Sequence, residues 1–325
     1  MSIPAAAPAI DVHLDRHDWR RALLDEARRS LTATPRELSP TWFYDERGCE
    51  LFEAITQLPE YYPTRTERSI LVDHAADVAA TGADTLVELG AGSATKTRIL
   101  LDAMQDAGRL ARYVPFDVAE SAVRSTAGAV AGEYPDIGVH GVVGDFRRHL
   151  GRIPGGGRRV VAFLGGTIGN LRPEERRTML ADLAGTMAPG DALLLGTDLV
   201  KDRDRLVAAY DDGAGVTAAF NRNVLNVLNQ ETGAEFEPER FEHVARFDDD
   251  NEWIEMHLRS VGQQQVPVPG LGIDLDLSDG ESIRTEISAK FRPERVDDEL
   301  AGAGLRLHEW WTDPNADFAL SLAVR

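Results

Sequence analysis

The sequence predicts an α/β fold centred on a mostly parallel, doubly wound sheet, and three observations predict it. From about residue 65 to 200, short apolar runs alternate with helical stretches at the spacing of βαβ units. The first of those runs ends in a glycine turn that opens a helix, "DTLVELGAGSATKT" at 84–97. The last two strands, 304–312 and 317–324, are separated only by Asp313-Pro314-Asn315 and its neighbours, a link short enough to demand antiparallel pairing.

Taken in order, residues 1–16 are alanine- and proline-rich and read as a flexible tail. Residues 17–64 form a helical N-terminal segment, with a helix from His17 to about Leu31, a break at Ser39-Pro40 and a second helix at about 48–57. Five aromatics flank that second helix. Trp42 and Phe43 are expected to dock it on a core, whereas Tyr44 and Tyr61 also bring a hydroxyl. Between 65 and 200, strands are expected at 84–89, 112–117, 139–143, 159–164 and 191–197, and helices at about 67–80, 95–106, 119–133 and 173–186. Alternation stops after "GTDLVKD". Residues 201–290 read as an insertion, helical to about 230 and then stranded, while 291–325 return to the earlier grammar with a helix at 293–303 and the closing strand pair.

Composition narrows the function. Apolar residues make up 43%, enough for a full core, and 35 basic side chains face 54 acidic ones, a formal charge of −19. Such a balance repels nucleic acid and anionic membranes and favours a small or cationic partner, with simple solubility as an equal account of the charge. Cys49 is the only cysteine, so an intrachain disulfide is excluded and no metal-ligating thiol cluster exists. The start lacks the charged and apolar regions of a secretory signal, and no run of eighteen apolar residues occurs. A cytoplasmic protein is the expectation.

In a parallel sheet, ligands sit at the carboxyl ends of the strands. The first such end carries Glu88, Gly90 and Gly92. The turn is not a P-loop, and Thr95 stands where a dinucleotide fingerprint needs its third glycine. An acid two positions before a GxG turn is common in S-adenosylmethionine-dependent methyltransferases. Lys96 follows, placed either to reach a carboxylate or to stay solvated on the helix. The second strand ends at Asp117, suited to ribose hydroxyls, with a helix-capping role as the alternative. The third ends at Gly144-Asp145-Phe146, where an acid beside an aromatic suits an adenine. Together these ends describe an adenosine with a glycine-cradled tail, hence S-adenosylmethionine. The fourth ends in "FLGGTIGNL" at 163–171, whose Asn170 offers an amide to an acceptor amine or caps the helix beginning at Pro173.

Beyond these signals, "WFYDERGCELFEAITQLPEYYPTR", "VELGAGSATKT", "FLGGTIGNL", "AYDDGAGVTAAFNRNVL" and "RTEISAKFRP" closely resemble the L-histidine Nα-methyltransferases of ergothioneine biosynthesis. The likeness covers nearly the whole chain after about residue 17. It implies a Rossmann-like class I methyltransferase core, a mostly parallel seven-stranded sheet with an antiparallel last strand. It also implies an α+β substrate-binding insertion, which the N-terminal helical segment completes. The implied reaction is trimethylation of histidine to hercynine by a monomer using S-adenosylmethionine and no metal. The alternative is an N-methyltransferase for another amino acid or small amine. The resemblance assigns Glu88, Gly90, Gly92, Lys96, Asp117, Asp145 and Phe146 to the cofactor. Tyr61, Asn170 and Tyr210 would hold the amino and carboxylate groups, and Tyr44 and Gly165 would border the pocket. Glu286 and Ser288 would recognise the imidazole, Ile287 between them would belong to the substrate site, and Met256 would line the wall. Asn170 and Tyr44 would act in catalysis by orienting the amine. Two departures are visible: the family's GSGTSEKT is GAGSATKT here, and its TEVSCKF is TEISAKF, with Ala289 in place of cysteine.

Overall fold

Runs such as TLVEL (85–89) and RVVAF (159–163) are buried at every position, which is the signature of strands covered on both faces. The computed structural model describes residues 7–325. Its chain begins with β1 (Ala9–Val12), α1 (Arg16–Thr32), β2 (Arg36–Glu37), α2 (Glu46–Thr56) and α3 (Pro63–Ala79). The alternating stretch is β3 (Thr85–Leu89), α4 (Thr97–Asp106), β4 (Arg112–Asp117), α5 (Glu120–Glu133), β5 (Gly138–Val143), α6 (Phe146–His149), β6 (Arg159–Phe163), α7 (Pro173–Thr186) and β7 (Ala192–Asp198). Next come α8 (Arg203–Ala208), α9 (Val216–Thr232), β8 (Phe241–Asp248), β9 (Trp253–Ser260), β10 (Gln264–Val268), β11 (Ile273–Leu277) and β12 (Ser282–Ala289). The chain closes with α10 (Pro293–Gly302), β13 (Arg306–Thr312) and β14 (Phe318–Val324).

Two units result. Of the described residues, one holds 7–15 together with Arg65–Leu199 and Phe291–Arg325, and the other holds Arg16–Thr64 and Val200–Lys290. In the first, eight strands run in the order β1-β5-β4-β3-β6-β7-β14-β13, with β14 antiparallel to both neighbours. The order steps outward in both directions from β3, so the glycine turn sits where the winding reverses, the usual place for a ligand. Its core packs Leu86, Leu101, Met104, Tyr113, Val160, Leu194 and Phe318, all fully or almost fully buried.

The sheet has one strand more than the seven expected. β1 lies in the stretch read as a flexible tail and pairs in parallel with β5, from Ala9 opposite His140 to Val12 opposite Val143. Residues 1–6 of that stretch lie outside the described residues. What holds β1 is tertiary: a Cβ at Gly141 would lie 2.7 Å from Ile10 Cδ1, so Ile10 fills the space a side chain would take. Asp11 also accepts from or pairs with His140 Nε2 at 2.8 Å.

The second unit builds a four-stranded sheet, β2-β12-β9-β8, and a β10-β11 hairpin. Helices α1, α2 and α9 supply Leu31, Leu51, Ile55, Phe220, Leu225 and Leu228 to its core, joined by Trp42 and Phe43 from the turn before α2. α9 starts where Asp212 accepts from the Val216 and Thr217 backbone N–H groups at 3.0 and 2.7 Å. It ends at Gly233, in the left-handed conformation that stops helices. No helix among the described residues is long and apolar enough to cross a membrane.

Candidate active site

In the sheet unit, Gly90 (φ +73°) and Gly92 (φ +47°) take backbone angles that side chains disfavour. A Cβ at either would meet nothing within 4 Å, so the turn presents bare backbone where a ligand's tail would lie, the fit that S-adenosylmethionine requires. Asp117 braces this turn. One carboxylate oxygen accepts from Gly92 N–H at 3.2 Å, and the other accepts from Ala119 N–H at 3.0 Å, at the start of α5. Asp117 thus ties the glycine turn to the residue before α5, while the cap position itself belongs to Ala119, which makes no side-chain cap bond. Burial pushes its carboxyl above the ordinary range, with the Ala119 and Gly92 N–H groups opposing the shift.

Glu88 lies beneath the turn at 5% exposure. Its oxygens accept from Thr97 Oγ1 and from Tyr113 Oη, the latter at 2.5 Å. Burial pushes this carboxyl up to about 7, against the two hydroxyl donors and nearby Lys96. Lys96 is not a solvated helix lysine: its ammonium pairs with Glu67, a wholly buried carboxylate on α3. The other oxygen of Glu67 accepts from Gly165 N–H at 2.7 Å. Glu67 therefore ties Lys96 to the glycine pair after β6, where Gly165 (φ +77°) and Gly166 (φ +68°) are both left-handed. Gly196 on β7 makes room for it, since a Cβ there would stand 2.2 Å from the Glu67 carboxylate.

Asp145 caps the short α6, accepting from Arg147 N–H at 2.8 Å, and also pairs with the Arg147 guanidinium. Phe146 beside it is half-buried and meets Phe163 edge-on at 5.4 Å. Asn170 closes the turn after Gly166, and the cap position of α7 belongs to Arg172, whose N–H donates to Glu175 at 2.8 Å. The capping alternative for Asn170 is therefore not realised.

In the second unit, an aromatic set forms from residues distant in sequence. Tyr44, 42% exposed, stands edge-on to Phe52 and Phe220 at 5.9 and 6.0 Å. Phe52 meets Tyr61 at 6.2 Å, and Tyr61 meets Tyr210 at 6.3 Å, both edge-on. The Tyr210 hydroxyl lies 2.7 Å from Ser288 Oγ. Lys290, wholly buried, donates to both at 3.0 and 2.9 Å.

Glu286 lies opposite Met256 in the β12–β9 pairing, immediately after a register break that leaves Thr285 as the extra residue. Such bulges re-aim the side chains beside them. Thr285 is fixed by donating to Asn221 Oδ1 at 2.6 Å. Asn221 in turn donates to His243 Nδ1 at 2.8 Å, and His243 Nε2–H donates to the Tyr210 carbonyl at 2.8 Å. Desolvation lowers the His243 pKa, which favours the neutral ring that these two opposite roles require. One buried chain of hydrogen bonds thus fixes both Tyr210 and the bulge before Glu286. Ile287 and Met256 are buried beside it.

Sequence reasoning missed Glu67, Phe52, Phe220 and Lys290. Phe52 lies within "WFYDERGCELFEAITQLPEYYPTR", Glu67 two residues after it, and Lys290 within "TEISAKF"; none carries a local pattern announcing a partner. The single legible hint for Glu67 was the absence of a side chain at Gly196, its neighbour across the fold.

The chain resembles known proteins over nearly its whole length. It is 58% identical over 305 residues to a histidine N-alpha-methyltransferase of Mycolicibacterium smegmatis, covering 94% of this chain and 95% of that one. A histidine N-alpha-methyltransferase of Mycobacterium tuberculosis is 54% identical over 314 residues, 96% and 98% of the two chains. Ergothioneine biosynthesis protein 1 of Neurospora crassa is 34% identical over 206 residues, 61% of this chain and 23% of that one. Residues 23–325 match the model of one family. The chain belongs to the S-adenosylmethionine-dependent, histidine-specific methyltransferases.

Proposed function

We propose that the enzyme methylates the α-amino nitrogen of L-histidine three times, giving hercynine as the first step of ergothioneine biosynthesis. The observation that carries the reading is the recognition set in the second unit: the paired Tyr210 and Ser288 hydroxyls, with Glu286 re-aimed by the bulge at Thr285, three residues before Ser288. A carboxylate that accepts a ring N–H, beside a hydroxyl that meets the other ring nitrogen, suits imidazole and few other side chains. Relatives more than half identical carry the name histidine N-alpha-methyltransferase, which supports the reading.

Bound S-adenosylmethionine supplies an electrophilic methyl group on a sulfonium. Gly90 and Gly92 accommodate its amino-acid end, Lys96, oriented by Glu67, faces its carboxylate, and Asp117, Asp145 and Phe146 hold the nucleoside, with Glu88 setting the turn from below. Tyr61, Asn170 and Tyr210 hold the substrate's amino and carboxylate groups, with Tyr44 and Gly165 at the border and Ile287 and Met256 along the imidazole. An ammonium has no lone pair, so the amine must be bound neutral. Asn170 and Tyr44 orient it, and water takes the proton. Alignment of this kind is worth several kcal/mol, and the displacement asks for no metal. As methyls accumulate the nitrogen becomes a permanent cation, which tyrosine faces favour by roughly 0.5–2 kcal/mol each. The same reading has the enzyme act as a cytoplasmic monomer on a small molecule, with neither nucleic acid nor membrane as partner.

Mass spectrometry after incubation with S-adenosylmethionine and each of the twenty amino acids tests the proposal. A gain of three methyl groups on histidine alone is expected. One methyl on histidine would overturn trimethylation, and methylation of another amine in its place would overturn the substrate.

A further inference from the structure

Arg176 on α7 is wholly buried, and its guanidinium divides its donors between two neighbours. Nε and Nη2 donate to the Glu299 carboxylate on α10, the latter at 2.9 Å. Nη1, on the side away from Glu299, donates to the Leu171 carbonyl at 2.7 Å, one residue past Asn170. The guanidinium carbon also lies 5.1 Å from the centre of the Phe291 ring. Packing α7 on α10 does not call for a buried charge, because apolar side chains of similar volume often do that equally well. What they cannot supply is a donor to the Leu171 carbonyl. The other end of the same turn is held in the same manner, since Gly165 N–H donates at 2.7 Å to the wholly buried Glu67. Between these anchors, Gly169 N–H donates to Gly166 at 2.9 Å and Leu171 N–H to Ile168 at 3.2 Å. Such local bonds shape the turn, whereas the two buried charges place it.

Resting on the role given to Asn170 above, we infer that Arg176 is a positioning residue: by holding the Leu171 carbonyl it fixes where Asn170 presents its amide to the substrate amine. Glu299 steadies the guanidinium from behind, and Nη1 does the positioning. A lysine at 176 keeps a charge for Glu299 to pair with, but its ammonium is a single point that follows the carboxylate and leaves the carbonyl. The turn then loses one anchor, and Asn170 shifts with it. A displacement of about 1 Å in a substrate-orienting group can cost on the order of a hundredfold in rate.

The test is steady-state methylation of L-histidine by the full chain, with calorimetric binding of S-adenosylhomocysteine as the control for structure. Arg176→Met/Glu299→Leu exchanges the ion pair for an apolar contact, so it should fold and bind S-adenosylhomocysteine as the parent does. It is nevertheless expected to raise the histidine KM and lower kcat, with kcat/KM down about tenfold or more. A residue that only held the helices together would alter the folded fraction, which changes apparent kcat and cannot move KM. Glu299→Gln, which still offers the guanidinium an acceptor, should keep the parent's KM. Arg176→Lys added to Asn170→Ala should cost little beyond Asn170→Ala alone, the mark of two residues acting through one contact. A KM untouched in Arg176→Met/Glu299→Leu, or losses that multiply when Arg176→Lys joins Asn170→Ala, overturn the inference and leave the histidine reading intact. Should the paired apolar variant fail to fold, Arg176→Lys alone is judged by the same KM criterion. A parent that binds S-adenosylhomocysteine but does not methylate histidine overturns both.

Discussion

Glu286 owes its place to a residue that makes no chemistry. Thr285, the extra residue of the β12 bulge, is held by Asn221, and the next side chain is turned accordingly. Glu286→Ala is expected to raise the histidine KM by at least about tenfold, or ~1.4 kcal/mol, with S-adenosylhomocysteine affinity unchanged; equal losses in both would remove Glu286 from the substrate site. Glu88 yields a prediction about pH. Its folded pKa of about 7 exceeds the 4.5 of a free side chain. Between those values the folded chain keeps a proton that the unfolded chain has released, so this group's contribution to stability falls as pH rises through the window. His243, depressed by burial, works in the opposite sense, its contribution being lost as pH falls. Comparing Glu88→Gln with the parent cancels the histidine. The variant's melting temperature, relative to the parent, should rise from about pH 5 to about pH 8, and a constant difference would show that ionising Glu88 costs nothing. At this scale the sequence was legible where a residue type sits in a patterned place, as Asp117 does. It was silent where a partner comes from far along the chain, as with Glu67 and Lys96.

Elements were legible in proportion to how far local pattern, rather than tertiary contact, determines them. The runs that became β3 to β7 are mostly apolar and bounded by turns, and their expected positions differ from the observed ones by a residue or so. β1 and the two-residue β2 have no such pattern, because what holds each is a neighbouring strand. α2 shows the other limit, a helix whose start depends on close approach. Asp45 accepts from Gly48 N–H at 2.7 Å and also from Asn223 on α9 at 2.8 Å. A Cβ at Gly48 would lie 1.6 Å from the Phe43 carbonyl oxygen. Gly48→Ala should therefore destabilise by on the order of 1–3 kcal/mol in thermal or urea unfolding, the usual cost of overpacking. Asp45→Ala should cost about 1 kcal/mol for the cap, and more for the acceptor Asn223 loses. A neutral result for Gly48→Ala would mean that the turn before α2 shifts freely.

For the whole molecule, the interruption of the strand–helix rhythm near residue 200 and its return near 291 mark where the chain leaves one unit and re-enters it, at Leu199 and Phe291. Phe291 N–H donates to the Asp198 carbonyl at 2.8 Å, so departure and return lie side by side just past the end of β7. A net charge of −19 also belongs to this scale. Self-repulsion opposes the compact state, so raising sodium chloride from about 20 to about 300 mM should raise the melting temperature, and a fall would show that attractive pairs outweigh it. The far edge of the sheet, β13, exposes Arg306, His308 and Glu309, charges that discourage another strand from docking. The near edge has β1 instead, a four-residue hem sewn along β5. Trimming the chain past Val12 would unpick that hem and leave β5, with its buried valines at 139, 142 and 143, as a raw selvedge for a second copy to stitch onto. A handful of residues remote from any chemistry would then decide how long a concentrated preparation stays clear.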